Sequence, residues 1–234
     1  MPKINQSKIQ AVVRNNKYVG AMMIGDRDAH TTFSVQPFAA VGPHTVEVPY
    51  WASQITVAFS GGGGAGGNGA GGLGSGGSGG KGGAVGVARV VVDPQVRELL
   101  LYIGGGGPRN ERDERANGIN GASTDVTYNG VTRAAIGGLG GTGAVVSADQ
   151  NGTANSALFH SSEIIVGRMS ETNLFKPGVP GVGQPVGANP PGGTPGKYGA
   201  GGGGGNGGAF GQWSPGGAGG NGYAVVWMIG RTLK

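Results

Sequence analysis

The chain has 234 residues, of which 56 are glycine, 13 proline and none cysteine; 12% are charged, 6% aromatic, and the formal net charge is +5. Glycine in such excess over its usual share of roughly 7% costs about 1 kcal/mol per helical residue relative to alanine, which excludes long helices from the middle and the C-terminal third. The glycine runs have no Gly-X-Y period, which excludes collagen, and the missing thiols exclude disulfides and thiolate metal sites.

Residues 1–40 have ordinary composition. Short β-like stretches at Gln10 to Val13, Tyr18 to Ile24 and Thr31 to Val35 surround a polar turn at Gly25 to Asp28. This segment reads either as an N-terminal docking segment or as extra strands of the main domain, which spans 41–234. The opening residues contain no apolar core of a signal peptide, and no apolar run approaches the roughly 20 residues of a membrane span.

Two alternating stretches follow, Thr45 to Val48, stopped by Pro49, and Ser53 to Ser60, with Ile55, Val57 and Phe59 on one face. Period-two alternation marks strands with one buried face. The second runs directly into the glycine run 61–83. Beyond it, Ala84 to Val92 and Val96 to Ile103 flank Asp93-Pro94-Gln95 and read as a hairpin. A second glycine run, Gly104 to Gly107, leads into 108–122, the most charged stretch, read as a solvated loop in which Arg109, Arg112 and Arg115 offset Glu111, Asp113 and Glu114. Short strands are expected at Asp125 to Tyr128, Ala144 to Ser147 and Glu163 to Gly167. Residues 175–197, rich in proline and glycine, are expected to be extended without regular pairing. A third glycine block from Gly199 encloses Phe210 and Trp213. The closing segment Tyr223 to Ile229 is apolar enough to be buried on both faces.

The glycine runs are all anchored by strands, so they are expected to pack as polyproline-II-like helices of three residues per turn and about 3.1 Å rise, hydrogen-bonded side by side. Gly61, Gly62, Gly63, Gly64, Gly201, Gly202 and Gly203 are the candidate scaffold positions. Fully extended, 61–83 would span roughly 70 Å, so it should fold back near Leu73 to Ser78. Asn68, Leu73, Lys81, Asn206, Phe210 and Trp213 should then project outward or occupy turns. The expected fold is all-β: a β-sandwich-like domain with long glycine-rich, polyglycine-II-like segments.

Chemical motifs are absent on inspection. Ser75 to Lys81 imitates a phosphate loop, but Ser75 replaces its first glycine and Gly82 follows the lysine. Gly76 to Gly80 matches G-x-S-x-G without the strand and helix that a nucleophile elbow needs. His30, His44 and His160 have no ligand spacing, and nothing pairs Asp125, Asp149 and Glu163. The basic residues form no stripe interleaved with aromatics, so nucleic acid is not an expected partner. No catalytic residue, metal, cofactor or membrane insertion is expected.

The ordered set of a V-x-V-P strand, a strand running into GGGGxGG, the stretch RVVVDPQVRELLLYIGGGG and the terminal GGAGGNGYAVVWMI resembles the glycine-rich domain of bacteriophage tail fibre and minor tail proteins. The resemblance covers roughly 44–107 and 197–230. It implies an all-β fold, a place in the virion tail beside other phage tail proteins, a homo-oligomer with a trimer favoured, and contact with a host cell-surface receptor. In that setting the candidate receptor contacts are Tyr198, Phe210, Trp213, Arg109, Arg112 and Arg115. The same features also fit a structural minor tail protein without receptor contact. Two departures stand out: the turn between the paired strands is Asp93-Pro94-Gln95 where that family has Pro-Gly, and 108–170 has no counterpart. A weaker similarity is to mycobacterial surface proteins with GGAGGNGG repeats, which would make this a bacterial surface protein; their helical N-terminal domain is missing here.

Overall fold

The computed structural model describes residues 10–14, 17–23, 29–71, 76–144, 198–207 and 211–233. The fold is all-β. Ten strands run in chain order: β1 Gln10–Arg14, β2 Lys17–Met23, β3 Ala29–Phe38, β4 Gly42–Glu47, β5 Gln54–Ser60, β6 Val85–Val91, β7 Glu98–Ile103, β8 Thr124–Tyr128, β9 Val131–Ala135 and β10 Tyr223–Leu233. They form two antiparallel sheets, one of six strands ordered β1-β2-β3-β10-β5-β6 and one of four ordered β4-β7-β8-β9. The N-terminal strands thus add to the main sheet, and β3 pairs along its whole length with β10.

The sheets face each other across a core of Ile55, Val57, Phe59, Leu99, Leu101, Ile103, Val126, Val226 and Met228. Alternation produces this directly: Leu99, Leu101 and Ile103 are buried while Leu100 and Tyr102 between them are exposed. β10 lies between β3 and β5, and Ala224, Val225, Val226, Trp227 and Met228 are all buried, as so apolar a strand requires.

The expected hairpin at 84–103 is an arch instead. β6 pairs with β5, whereas β7 pairs with β4 and β8 in the other sheet. A hairpin would set the apolar faces of the two strands side by side in one sheet. The arch lets Ala88 and Val90 face Leu99 and Leu101 across the core. Its corner is fixed by Val96 N–H donating to the Asp93 carbonyl at 3.0 Å and Gln95 N–H to the Asp93 carboxylate at 2.9 Å. Tyr128 reaches over from β8, its hydroxyl accepting from Asp93 N–H at 3.0 Å and lying 3.2 Å from the Val96 carbonyl.

The second half of the molecule is made of glycine segments that continue the strands. We label them g1 (61–71), g2 (76–84), g3 (104–107), g4 (116–122), g5 (136–144), g6 (199–207) and g7 (214–222). β5 runs into g1, g2 into β6, β7 into g3, g4 towards β8, β9 into g5 and g7 into β10. Every amide from Gly61 to Gly69 donates to a neighbouring segment at 2.8–3.0 Å, in rotation of three. Gly61, Gly64 and Gly67 donate to Ala84, Lys81 and Ser78 of g2; Gly62, Ala65 and Asn68 to Ala122, Ile119 and Ala116 of g4; Gly63, Gly66 and Gly69 to Gly220, Gly217 and Ser214 of g7. The carbonyls of g1 accept from the other three: Gly62, Ala65 and Asn68 from g5, Gly64 and Gly67 from g6, and Gly63 from Gly107 of g3.

This is a polyglycine-II bundle with g1 on its axis. Around g1 the ring closes as g2-g5-g4-g3-g7-g6, each neighbour hydrogen-bonded to the next. Segments antiparallel to g1 (g2, g4, g7) alternate with parallel ones (g5, g3, g6). For g1, g2, g3, g4, g5 and g7 the strands they join, running alternately up and down, supply that alternation.

The side-chain periodicity explains why glycine is required. Within g1, one column of positions (61, 64, 67) aims at the g5 backbone and a second (63, 66, 69) at the g6 backbone, where an added Cβ would overlap a carbonyl. The third column (62, 65, 68) aims at g3. Gly62 meets the Gly105 carbonyl, but g3 ends at Pro108, and there Ala65 and Asn68 take the vacated space. The reversal expected near Leu73 to Ser78 falls between Gly67 and Ser78, which are hydrogen-bonded to each other. One expectation fails. Asn68 and Asn206 do not project outward but are buried, at 0% and 6% exposure.

Candidate functional site

The end of the bundle away from the sandwich gathers three chain reversals. The g3–g4 loop, residues 108–115, carries the charges. The charged stretch is shorter than the 108–122 expected from sequence, because Ala116, Ile119 and Ala122 accept from g1 and belong to the bundle. The triplet spacing Asn117-Gly118, Asn120-Gly121 was the signal: Gly118 and Gly121 face g1, while the Asn117 and Asn120 carboxamides accept from Gly143 and Gly140 of g5 at 2.8 Å.

Asn68 fixes the loop from below. Its side-chain amide donates to the carbonyls of Asn110 at 2.9 Å and Asp113 at 2.7 Å, and its side-chain oxygen accepts from Gly216 N–H at 3.0 Å. All its directed contacts go to main chain, so one buried side chain stands where a segment of g3 would have been. Glu114 accepts from Gly71 N–H at 2.8 Å, and Arg115, at a φ of 60°, donates its N–H to Gly69 at 3.1 Å. Gly71 also accepts from Gly211 N–H, so the charged loop and the g6–g7 reversal are tied to the same residue. Trp213 bridges to Gly207 and is half-buried, beside exposed Gly211 and Gln212.

The exposed surface of this tip is polar and electrically balanced. Arg109 lies 3.6 Å from Glu111, and Arg115 lies 3.5 Å from Glu114, both between side chains open to solvent. Such pairs contribute little to stability. Arg112 forms no ion pair among the described residues, and its guanidinium is free to meet an anionic group. Among the described residues no three His, Asp or Glu side chains converge.

The five candidate contacts among the described residues divide between the two ends. Arg109, Arg112, Arg115 and Trp213 share the tip. Tyr198 lies at the base, where Gly199 accepts from Gly83 and the Tyr198 ring packs at 4.8 Å on Tyr223. Eight residues at about 3.1 Å of rise put it roughly 25 Å from the tip. Burial, then the neighbouring Tyr198, push the Tyr223 hydroxyl pKa above its ordinary value. Phe210 lies outside the described residues, as do Leu73 and the expected strand Glu163 to Gly167. Scaffold positions Gly61 to Gly64 lie on the axis, and Gly201 to Gly203 in g6 beside it, Gly202 donating to Gly64. Sequence reasoning missed g5 altogether, though Ile136, Leu139 and Thr142 recur every third residue among glycines.

No protein-family model matches this chain, and no curated protein sequence matches it.

Proposed function

We propose that the chain is a bacteriophage tail protein that presents the tip of its glycine bundle to the host cell surface. The supporting observation is mechanical. A bundle in which each axial amide from Gly61 to Gly69 is hydrogen-bonded holds the 108–115 loop at one end, where the side chains of Arg109, Glu111, Arg112 and Asp113 are exposed. Backbone hydrogen bonds replace side-chain packing, so loop sequence at the tip is released from the demands of the fold. Arg109, Arg112 and Trp213 are the contacts, through charge-assisted hydrogen bonds and stacking on a sugar or side-chain face. Attachment needs no chemical step, so the protein acts without catalysis. Other tail proteins would hold the sandwich end, in several copies on a symmetric tail, with three favoured.

The test is binding of fluorescently labelled protein to intact bacterial cells, in competition with adsorption of the phage that carries the gene. Saturable binding that blocks adsorption, lost in Arg112→Ala/Trp213→Ala with unchanged unfolding, supports attachment through the tip. A folded protein that is found in purified virions but binds no cells would instead be a structural minor tail protein.

A further inference from the structure

The exposed edges of the two sheets differ in how they are guarded. Edge strands offer unpaired backbone groups, and natural proteins blunt them with proline, bulges or inward-pointing charges. β4 carries Pro43 and begins at Gly42 with a φ of 112°. β9 places Arg133 opposite Val126, on the face that looks into the sandwich. β6, Val85–Val91, has neither device. It contains no proline, its register with β5 is unbroken from Val85 to Val91, and Arg89 is its one charge.

The groups of β6 without a ladder partner among the described residues can be assigned. Ala84 C=O accepts from Gly61, and Val92 N–H donates to Ser53, so both face β5. Polar groups alternate sides along a strand, which leaves the N–H and C=O of Val85, Val87, Arg89 and Val91 directed away from the sheet. Beside them a cleft of about 400 Å³ opens between β6 and β9, walled by Ala88, Val90, Val126, Tyr128, Val131 and Arg133. Val91 is 82% and Val131 57% exposed. Among the described residues neither Arg89 nor Arg133 has a carboxylate within ion-pair distance; the ion pairs there are Arg109–Glu111 and Arg115–Glu114.

We propose that β6 accepts an extended strand from a partner protein, and that this strand carries an Asp or Glu flanked at two-residue spacing by apolar side chains. The backbone of Val85, Val87, Arg89 and Val91 supplies the ladder, as in other strand-addition complexes. Alternate side chains of the added strand enter the mouth of the cleft, where the valines select apolar groups and Arg133 selects a carboxylate. A second copy of β6 fits less well. Paired with itself, β6 would direct Gly86, Ala88 and Val90 into the cleft and leave Arg133 without a counter-charge. The surface is on the sandwich, away from the tip, so the inference stands apart from the attachment reading.

The test uses the full chain and a labelled heptapeptide, Thr-Val-Thr-Glu-Thr-Val-Thr, with amide hydrogen exchange read by NMR. Slowed exchange at Val85, Val87, Arg89 and Val91 is expected, with binding weakened roughly tenfold when the glutamate is replaced by lysine. Arg133→Glu should reverse that preference. Val87→Pro removes one outward N–H without touching the β5 ladder, so it should abolish binding; Val87 also packs on the cluster of Ala58 and Trp227, so a modest loss of stability is expected, with retained amide protection along β5 and β10 showing that the sheet is intact. Unaltered exchange at those amides up to the solubility limit of the peptide overturns the proposal. So does equal binding of the two peptides. A homodimer abolished by Val87→Pro overturns it too, in favour of a second copy.

Discussion

Gly64→Ala tests whether the axial segment is as tightly enclosed as the hydrogen bonding implies. The added methyl group would lie inside the contact distance of the Leu139 carbonyl, with backbone rather than a yielding side chain in the way. To make room, g5 or g1 must shift. That strains three bonds converging there: Gly64 N–H to Lys81, Gly202 N–H to Gly64, and Lys81 N–H to Leu139, each 2.8–2.9 Å. At about 1 kcal/mol apiece, with about 1–3 kcal/mol for overpacking, the cost is roughly 4–6 kcal/mol. Restricting the unfolded chain offsets about 0.4–1 kcal/mol of this, leaving a net loss of roughly 3–5 kcal/mol, a large part of the 5–15 kcal/mol typical of a domain. Ala65→Gly, one residue on, should cost only about 1–2 kcal/mol, because the methyl there sits in space that g3 has left. Urea unfolding followed by the fluorescence of the protein's tryptophans, among them buried Trp227, measures both. If Gly64→Ala proved no more destabilising than Ala65→Gly, the close-packed axial segment would be refuted.

Three further perturbations address separate parts of the structure. Asn68→Ala removes hydrogen bonds to Asn110, Asp113 and Gly216 at once and leaves those backbone groups to find water or remain unpaired. A loss of about 2–4 kcal/mol is expected, with faster amide exchange at Arg112 and Gly216. Tyr128→Phe should cost about 1–3 kcal/mol by leaving Asp93 N–H without its partner at the arch, read from the urea midpoint at constant slope. The raised pKa of Tyr223 makes the fold sensitive to alkali. A phenol protonated more tightly in the folded state stabilises it fully below its unfolded pKa near 10, and this contribution is lost as pH rises through the folded value. Stability should therefore fall above pH 10, and Tyr223→Phe should flatten that part of the profile.

The sandwich was largely legible because its signal is local. Alternation at Ile55, Val57 and Phe59, and the unbroken apolar run from Tyr223, declare strands that need no knowledge of their partners. Pairing was less legible: Asp93-Pro94-Gln95 suits a hairpin or an arch, and the choice depends on what Leu99 and Leu101 must face. In the bundle, the obvious glycine runs were read correctly as packed helices, but the thinner triplets of g4 and g5 were not. Asn117-Gly118 and Ile136-Gly137-Gly138 look like loop composition until the period of three is sought. Asn68 was misread for a related reason. Its burial follows from the departure of g3 at Pro108, forty residues away in sequence, and nothing local announces it. Of the candidate contacts, the arginines and Trp213 share a surface, while Tyr198, near Trp213 in sequence, sits on a segment parallel to g1 and so begins at the opposite end.

The two halves of the molecule depend on each other in a way that sets where sequence change is tolerated. A glycine bundle buries almost no apolar side chain, and glycine carries the largest backbone entropy cost of folding, so the bundle cannot rely on the hydrophobic effect that holds the sandwich. Its register comes from below. The β5–β6 pair ends at Ser60 opposite Val85 and passes directly to Gly61 bonded to Ala84, and the β5–β10 pair ends at Ser60 opposite Tyr223, just before g7. Strands aligned by the core thus hold g1, g2 and g7 in register at their base, so most of the loop-closure cost is met in the sandwich. The tip loops contribute little to this register beyond the few backbone ties to Asn68 and Gly71. At the exposed positions Arg109, Glu111 and Arg112, substitution is consequently expected to alter the surface at little cost to folding.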